Sequence, residues 1–143
     1  MKNNSKITAT VLGHPAQLFI LFFTEMWERF SYYGMRGLFV IFLTSTLLEG
    51  GWAWSEDSAL ALYGTYTSLV YLTPILGGYL ADKFLGNRNA AILGALLMTL
   101  GHASMAIESP TFLYIGLFFL IFGNGFFKPN MTSIVSKMYE STP

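Results

Sequence analysis

Three stretches of this chain run without an Asp, Glu, Lys or Arg for longer than the exposed face of a soluble helix allows. Ala59–Ala81 (ALALYGTYTSLVYLTPILGGYLA) has 23 such residues, Asn89–Ile107 (NAAILGALLMTLGHASMAI) has 19, and Thr111–Phe127 (TFLYIGLFFLIFGNGFF) has 17. About 20 mostly apolar residues cross the hydrocarbon core of a bilayer as a helix. Helix is the form that satisfies backbone polar groups inside one segment where no water is present. Charged residues make up 11% of the chain, against about 25% in soluble domains. The predicted fold class is therefore all-α and integral to a membrane.

A fourth helix qualifies only if charges are admitted into it. Residues 16–48 hold the run TEMWERFSYYGMR (Thr24–Arg36) between apolar flanks. The predicted helices are 16–48, 59–81, 89–107 and 111–139, the last one meeting Lys128 and kinking near Pro129, which lacks a backbone donor. Residues 1–15 read as a cytoplasmic tail and 140–143 as the start of a cytoplasmic loop at which the chain is truncated. No apolar run in the tail ends in a small-residue cleavage site, so no removable signal peptide is expected. Lys2, Lys6, Lys83, Arg88 and Lys137 fall on one side of the predicted membrane, while Glu49, Glu56, Asp57 and Glu108 fall on the other. The excess of Lys and Arg places both termini in the cytoplasm.

Glu25, Glu28, Arg29, Arg36 and Lys128 remain inside the predicted membrane. Each costs a few kcal/mol there. At 100° per residue, Glu25, Arg29, Tyr32 and Arg36 fall within about 60° of one another, with Glu28 and Tyr33 flanking. Glu25 and Arg29 have the i,i+4 spacing of a helical ion pair. Arg29 to Arg36 rises about 10 Å, so one stripe can serve a proton site and a substrate site. A purely structural ion network is the plainer explanation, but buried ion pairs stabilise less than apolar packing does. Protonating a glutamate would also free its basic partner, which makes the cluster a switch. His14 suits an interfacial place and His102 a packing or hydrogen-bonding one. Tyr63, Tyr66 and Tyr71 suit packing of the second helix, Tyr71 sharing it with Pro74 and Gly77-Gly78. No Ser/His/Asp set, His/Cys cluster or phosphate loop exists, so neither catalysis nor a metal or other cofactor is expected. With no basic runs and a net charge of zero, no nucleic-acid partner is expected either.

The residues Glu25-Met-Trp-Glu28-Arg29-Phe30-Ser-Tyr32-Tyr33-Gly34 resemble the ExxERFxYYG motif of the proton-coupled oligopeptide transporters, within the major facilitator superfamily, at all seven fixed positions. GGYLADKFLGNR (Gly77–Arg88) resembles the superfamily's loop between its second and third helices, and FFKPN (Phe126–Asn130) resembles the family's fourth-helix motif. The resemblance implies four helices of the N-terminal six-helix half of a longer transporter, built from three-helix repeats. It implies symport of di- or tripeptides with protons, driven by the proton gradient. By that likeness Glu25, Glu28, Arg29 and Lys128 take part in proton coupling. Tyr32, Tyr33, Arg36, Tyr71 and Lys128 bind the peptide. Gly78, Asp82, Gly86 and Arg88 belong to the gate loop. Animal members carry a histidine where Gly64 stands here; coupling would then rest on the glutamates, as in bacterial-type members of an inner membrane. The expected partners are peptide, protons, lipid and the remaining helices, without which transport is not expected. A small four-helix multidrug exporter and a non-transport membrane subunit are the alternatives. The first would need neither Arg29, Arg36 nor the DKFLGNR loop.

Overall fold

A computed structural model describes residues 9–140. Most of the expected tail, residues 1–8, and the expected loop residues 141–143 lie outside the described residues, as do Lys2 and Lys6. The described residues form a minimal hairpin and four long helices: β1 (Thr10–Val11), β2 (His14–Pro15), α1 (Ala16–Thr44), α2 (Glu56–Leu80), α3 (Asn87–Met105) and α4 (Pro110–Glu140).

The hairpin was not foreseen. Leu12 and Gly13 turn it at φ 53° and 79°, and the Ala16 amide donates to the Ala9 carbonyl at 2.8 Å, leading straight into α1. At its far end α1 stops at Thr44, not at the expected Leu48. Ser45 is extended (ψ 149°), and the Glu49 carboxylate accepts from both the amide and the hydroxyl of Thr46. That local cap competes with helix continuation. The loop then folds back, with the Trp54 amide donating to Leu43 O at 2.8 Å. α2 begins at Glu56, three residues before the expected Ala59. Ser55 caps it by accepting from the Ser58 amide, and Glu56 and Asp57 favour the positive end of the helix dipole. A reading by apolarity assigns such acids to the loop.

α4 lies at the centre, packed along α3 on one side and α2 on the other. Its buried residues include Leu113, Leu117, Leu120, Asn124, Phe127 and Asn130. Backbone approaches backbone on both sides. A Cβ on Gly77 of α2 would strike the Gly125 carbonyl of α4. A Cβ on Gly94 of α3 would come within 2.6 Å of Phe127 N and 2.7 Å of Gly123 O. Small residues let helices approach in this way where the solvent is itself apolar. Thr73 seals the α2–α4 contact by donating to Ile121 O at 3.0 Å. Pro129 cannot donate to the Gly125 carbonyl, and that is the carbonyl abutting Gly77.

Below Pro129 a polar chain ties α3 to α4. Lys137 donates to Asn87, Asn87 donates to Asn130 Oδ1 at 3.0 Å, and Asn130 donates to Phe126 O at 2.6 Å.

Two helices, Glu56–Leu85 and Pro110–Glu140, are long and apolar enough to cross a membrane. α1 and α3 do not meet that criterion, in contrast to the expected four. α1 carries its four ionisable residues, and α3 is 19 residues long with Asn87, Arg88, Asn89, Thr99, His102 and Ser104 along it. Large apolar side chains are nevertheless exposed on α1 (Ile20, Phe22, Phe23, Phe30, Leu38, Ile41) and α2 (Leu72, Ile75, Leu76). An exposed apolar surface of this extent marks contact with lipid or with further protein.

Candidate functional site

The buried stripe of α1 is Glu28, Tyr32, Phe39 and Leu43. Glu28, expected at the edge of the polar arc, is the one buried charge of α1. It is 8% exposed and accepts from Asn124 Nδ2 of α4 at 3.2 Å, across 96 residues of sequence. Arg29 is not its partner. Arg29 Nη2 lies 2.7 Å from Glu25 Oε1, in an ion pair whose two side chains are 56% and 44% exposed. It is the single ion pair among the described residues.

Tyr32 is the meeting point of the cations. Its ring, on a residue 5% exposed, has Lys128 Nζ at 4.8 Å and Arg36 Cζ at 5.3 Å from its centroid. Arg36 also donates from Nε and Nη2 to the Tyr63 hydroxyl of α2, at 2.8 and 2.6 Å. Cation–ring contacts of this kind contribute about 0.5–2 kcal/mol each. They leave both cations without a counter-carboxylate among the described residues. The Tyr32 hydroxyl is itself buried without a partner.

The arrangement brings together Glu28, Tyr32, Arg36 and Lys128. Tyr33 stands beside them, edge-on to Tyr32 with centroids 5.4 Å apart, but is 56% exposed. Tyr71 is 68% exposed and within electrostatic range of Tyr32 and Arg36. Two members of the site were not foreseen. Tyr63, read as packing, holds Arg36. Asn124, which holds Glu28, had a legible signal: it is a lone amide in an apolar run, four residues before Lys128 and so on its face. Replacing Asn124 by Leu leaves the buried carboxylate without its donor. The expected loss of stability is about 1–3 kcal/mol, read as a lower unfolding temperature in detergent.

The expected gate residues cluster at the α2–α3 turn, away from this site. Ala81–Leu85 widens into a π turn, closed by the Gly86 amide donating to Ala81 O at 2.8 Å. Gly86 has φ 75°, a left-handed conformation that favours glycine. Gly78 lies against Pro129. Asp82 and Arg88 are exposed and form no ion pair among the described residues. Lys83 donates to the Tyr79 hydroxyl at 3.3 Å. At the same end His14 Nδ1 and the Tyr139 hydroxyl are 3.0 Å apart, joining β2 to α4. No group of three His, Asp or Glu side chains is placed to hold a metal among the described residues.

Long apolar helices in glycine-mediated contact, with a partly buried stripe of charge facing α4, define the class to which the comparisons then give a name. Residues 29–142 match the Major Facilitator Superfamily, and the chain belongs to it. Within that superfamily its likeness is to peptide transporters. It is 41% identical to the di-/tripeptide transporter of Lactococcus lactis subsp. cremoris, over 98% of this chain and 29% of that protein. It is 41% identical to the uncharacterized transporter YclF of Bacillus subtilis (strain 168), over 89% of this chain and 26% of that protein. Among solved structures it superposes on the peptide transporter POT in complex with sulfate with a TM-score of 0.90 at 42% identity, covering 95% of this chain and 28% of that one. A POT family transporter in complex with 5-aminolevulinic acid gives 0.90 at 35% identity, again covering 95% and 28%. The chain thus spans less than a third of the length of these relatives.

Proposed function

We propose that this chain is the N-terminal part of a proton-coupled symporter that takes up di- and tripeptides, with α1–α4 all crossing the membrane and both termini cytoplasmic. The observation that carries the reading is the convergence of Arg36 and Lys128 on one buried ring with no carboxylate paired to either among the described residues. Two unpaired cations in an apolar setting call for an anion. A guanidinium offers a planar fork and an ammonium a point charge, and together they suit the carboxylate end of a peptide. Tyr32, Tyr33 and Tyr71 supply ring faces and hydroxyls along its backbone. The relatives named above include a di-/tripeptide transporter, which supports the same substrate class.

Glu25, Glu28 and Arg29 form the proton-coupling end, one helical turn away from the Tyr32 ring. Lys128 reaches in from α4 between the two ends, so protonation of Glu28 changes the field in which Lys128 holds its anion. Gly78, Asp82, Gly86 and Arg88 form the cytoplasmic gate loop, with Asp82 and Arg88 exposed to meet other parts of the transporter. A purely structural ion network has little support. The one ion pair among the described residues is half exposed and lies within a single helix.

The test is dipeptide uptake into vesicles holding the full-length protein under an imposed proton gradient. Arg36→Ala and Lys128→Ala each raise KM for free-carboxylate peptides about tenfold, the loss of one charge-assisted contact. Peptides with an amidated C-terminus change far less. Equal losses for the two peptide classes contradict the assignment.

A further inference from the structure

The turn of α4 that carries Lys128 is weakened by its own sequence. Pro129 has no N–H for the Gly125 carbonyl, and side chains enter the ladder on either side of it. Asn130 Nδ2 donates to Phe126 O at 2.6 Å, and the Thr132 hydroxyl donates to Lys128 O at 3.3 Å. In an α-helix each of those carbonyls is the acceptor for the backbone N–H four residues on. Prolines and side chains that enter this ladder bend helices. The direction in which Lys128 leaves α4 therefore depends on how Asn130 holds Phe126 O.

Asn130 is itself held. It is 1% exposed, and Asn87 Nδ2 of α3 donates to its Oδ1 at 3.0 Å. Lys137 donates in turn to Asn87 Oδ1. An ammonium only donates and a carbonyl oxygen only accepts. Lys137 at one end and Phe126 O at the other thus fix the orientation of both amides. Turning either amide over sets donor against donor and acceptor against acceptor. The relay has one polarity, and the turn it ends on, residues 126–130, contains Lys128. Lys128 Nζ lies 4.8 Å from the centroid of the Tyr32 ring.

We propose that Asn87 and Asn130 are positioning residues for Lys128: the relay from Lys137 to Phe126 O splints the proline-weakened turn and so aims the ammonium at the Tyr32 ring. Both asparagines act through the backbone of that turn. Asn87 directly follows Gly86, so the α2–α3 turn and the anion site are joined through two amides.

The inference rests on the reading of Lys128 as a ligand of the peptide carboxylate, and two readouts separate them. The first needs no peptide. Lysines of the full-length protein in detergent are reductively methylated with isotopically labelled formaldehyde, which keeps their charge. The Lys128 resonance is the one lost in Lys128→Arg, and the Tyr32 ring current shifts it upfield. Asn87→Asp keeps the volume and a partner for Lys137 but cannot donate to Asn130. Asn130→Leu removes both bonds of Asn130. In each variant the Lys128 resonance moves toward that of a solvent-exposed lysine. A resonance unmoved in both variants overturns the proposal.

The second readout is dipeptide uptake by the full-length protein. KM for free-carboxylate peptides rises about threefold or more in Asn87→Asp and Asn130→Leu, a part of the loss of one charge-assisted contact. Peptides with an amidated C-terminus are unaffected, and neither variant adds to the loss already present in Lys128→Ala. Equal losses for the two peptide classes, or a loss that adds in full to that of Lys128→Ala, assign the asparagines to the fold alone and overturn the proposal. If Lys128→Ala itself treats the two classes alike, the substrate reading fails and the Lys128 resonance decides the relay. If Lys128→Ala distinguishes the classes while both asparagine variants match wild type, the relay alone fails.

Discussion

Gradient-driven uptake disappears when Glu25 and Glu28 are replaced together by Gln in the full-length protein. Gln keeps the volume and hydrogen-bonding capacity of each side chain, so Arg29 and Asn124 retain neutral partners and the helices stay packed. What is removed is the ability to bind and release a proton. The expected loss is on the order of 100-fold in uptake under an imposed gradient, within the range by which removal of one proton-transfer group slows a reaction. Exchange of labelled for unlabelled peptide without a gradient separates coupling from binding, because that exchange moves no net proton. Retained gradient-driven uptake in the double variant would sink the proton role of this pair. Glu28→Gln alone carries most of the effect. Glu28 is the buried carboxylate at the α1–α4 contact, whereas the Glu25–Arg29 pair is exposed and of the class that contributes about 0–1 kcal/mol.

The second large effect is on folding. Gly77→Ala adds one methyl group, and that methyl meets the Gly125 carbonyl of α4. Backbone cannot rotate away as a side chain can, so the helices must separate along the α2–α4 contact that Thr73 now closes with its bond to Ile121 O. Overpacking typically costs about 1–3 kcal/mol, and a backbone–backbone clash belongs at the upper end. Gly64→Ala is the matched control. It lies on the same helix, and nothing stands within 4 Å of its added Cβ. There the substitution gains helix propensity of about 0.5–1 kcal/mol. The two variants should move the unfolding temperature in opposite directions. A Gly77→Ala protein as stable as Gly64→Ala would contradict the close packing described for α2 and α4.

The elements themselves were legible because apolarity over some 20 residues is a property of a segment, readable without its neighbours. Their ends were less so. Glu56 and Asp57 look like loop by hydropathy and are helix by electrostatics. Thr46 and Glu49 end α1 through a cap that apolar Leu47 and Leu48 conceal. The angular reading of α1 put its ionisable residues on one arc, but chose Glu25, Arg29 and Arg36 as the middle of it. Which part of an arc is buried depends on what faces it. Asn124, Lys128 and Tyr63 lie on helices whose rotation about their axes is set by tertiary contacts such as Gly77 against Gly125. The Glu25–Arg29 pair was legible, because i,i+4 spacing lies within one helix, whereas the Asn124 partner of Glu28 lies on another helix and was not. The resemblance named residue types at motif positions; the contacts between them came from the packing.

The bond from Asn124 to Glu28 has a consequence for how the chain is made. Its two ends are 96 residues apart, and ribosomes add about 5–20 residues per second. The carboxylate of the first helix is therefore synthesised about 5–20 seconds before its partner exists. Throughout that interval nothing on the emerging chain offers Glu28 an amide donor from α4, or Tyr32 the ammonium of Lys128. The nascent first helix must stay at the lipid boundary, lean on the insertion machinery, or carry Glu28 protonated. A ribosome stalled before Asn124 should yield a first helix extractable from the membrane, and one stalled after Lys137 should yield a helix held fast.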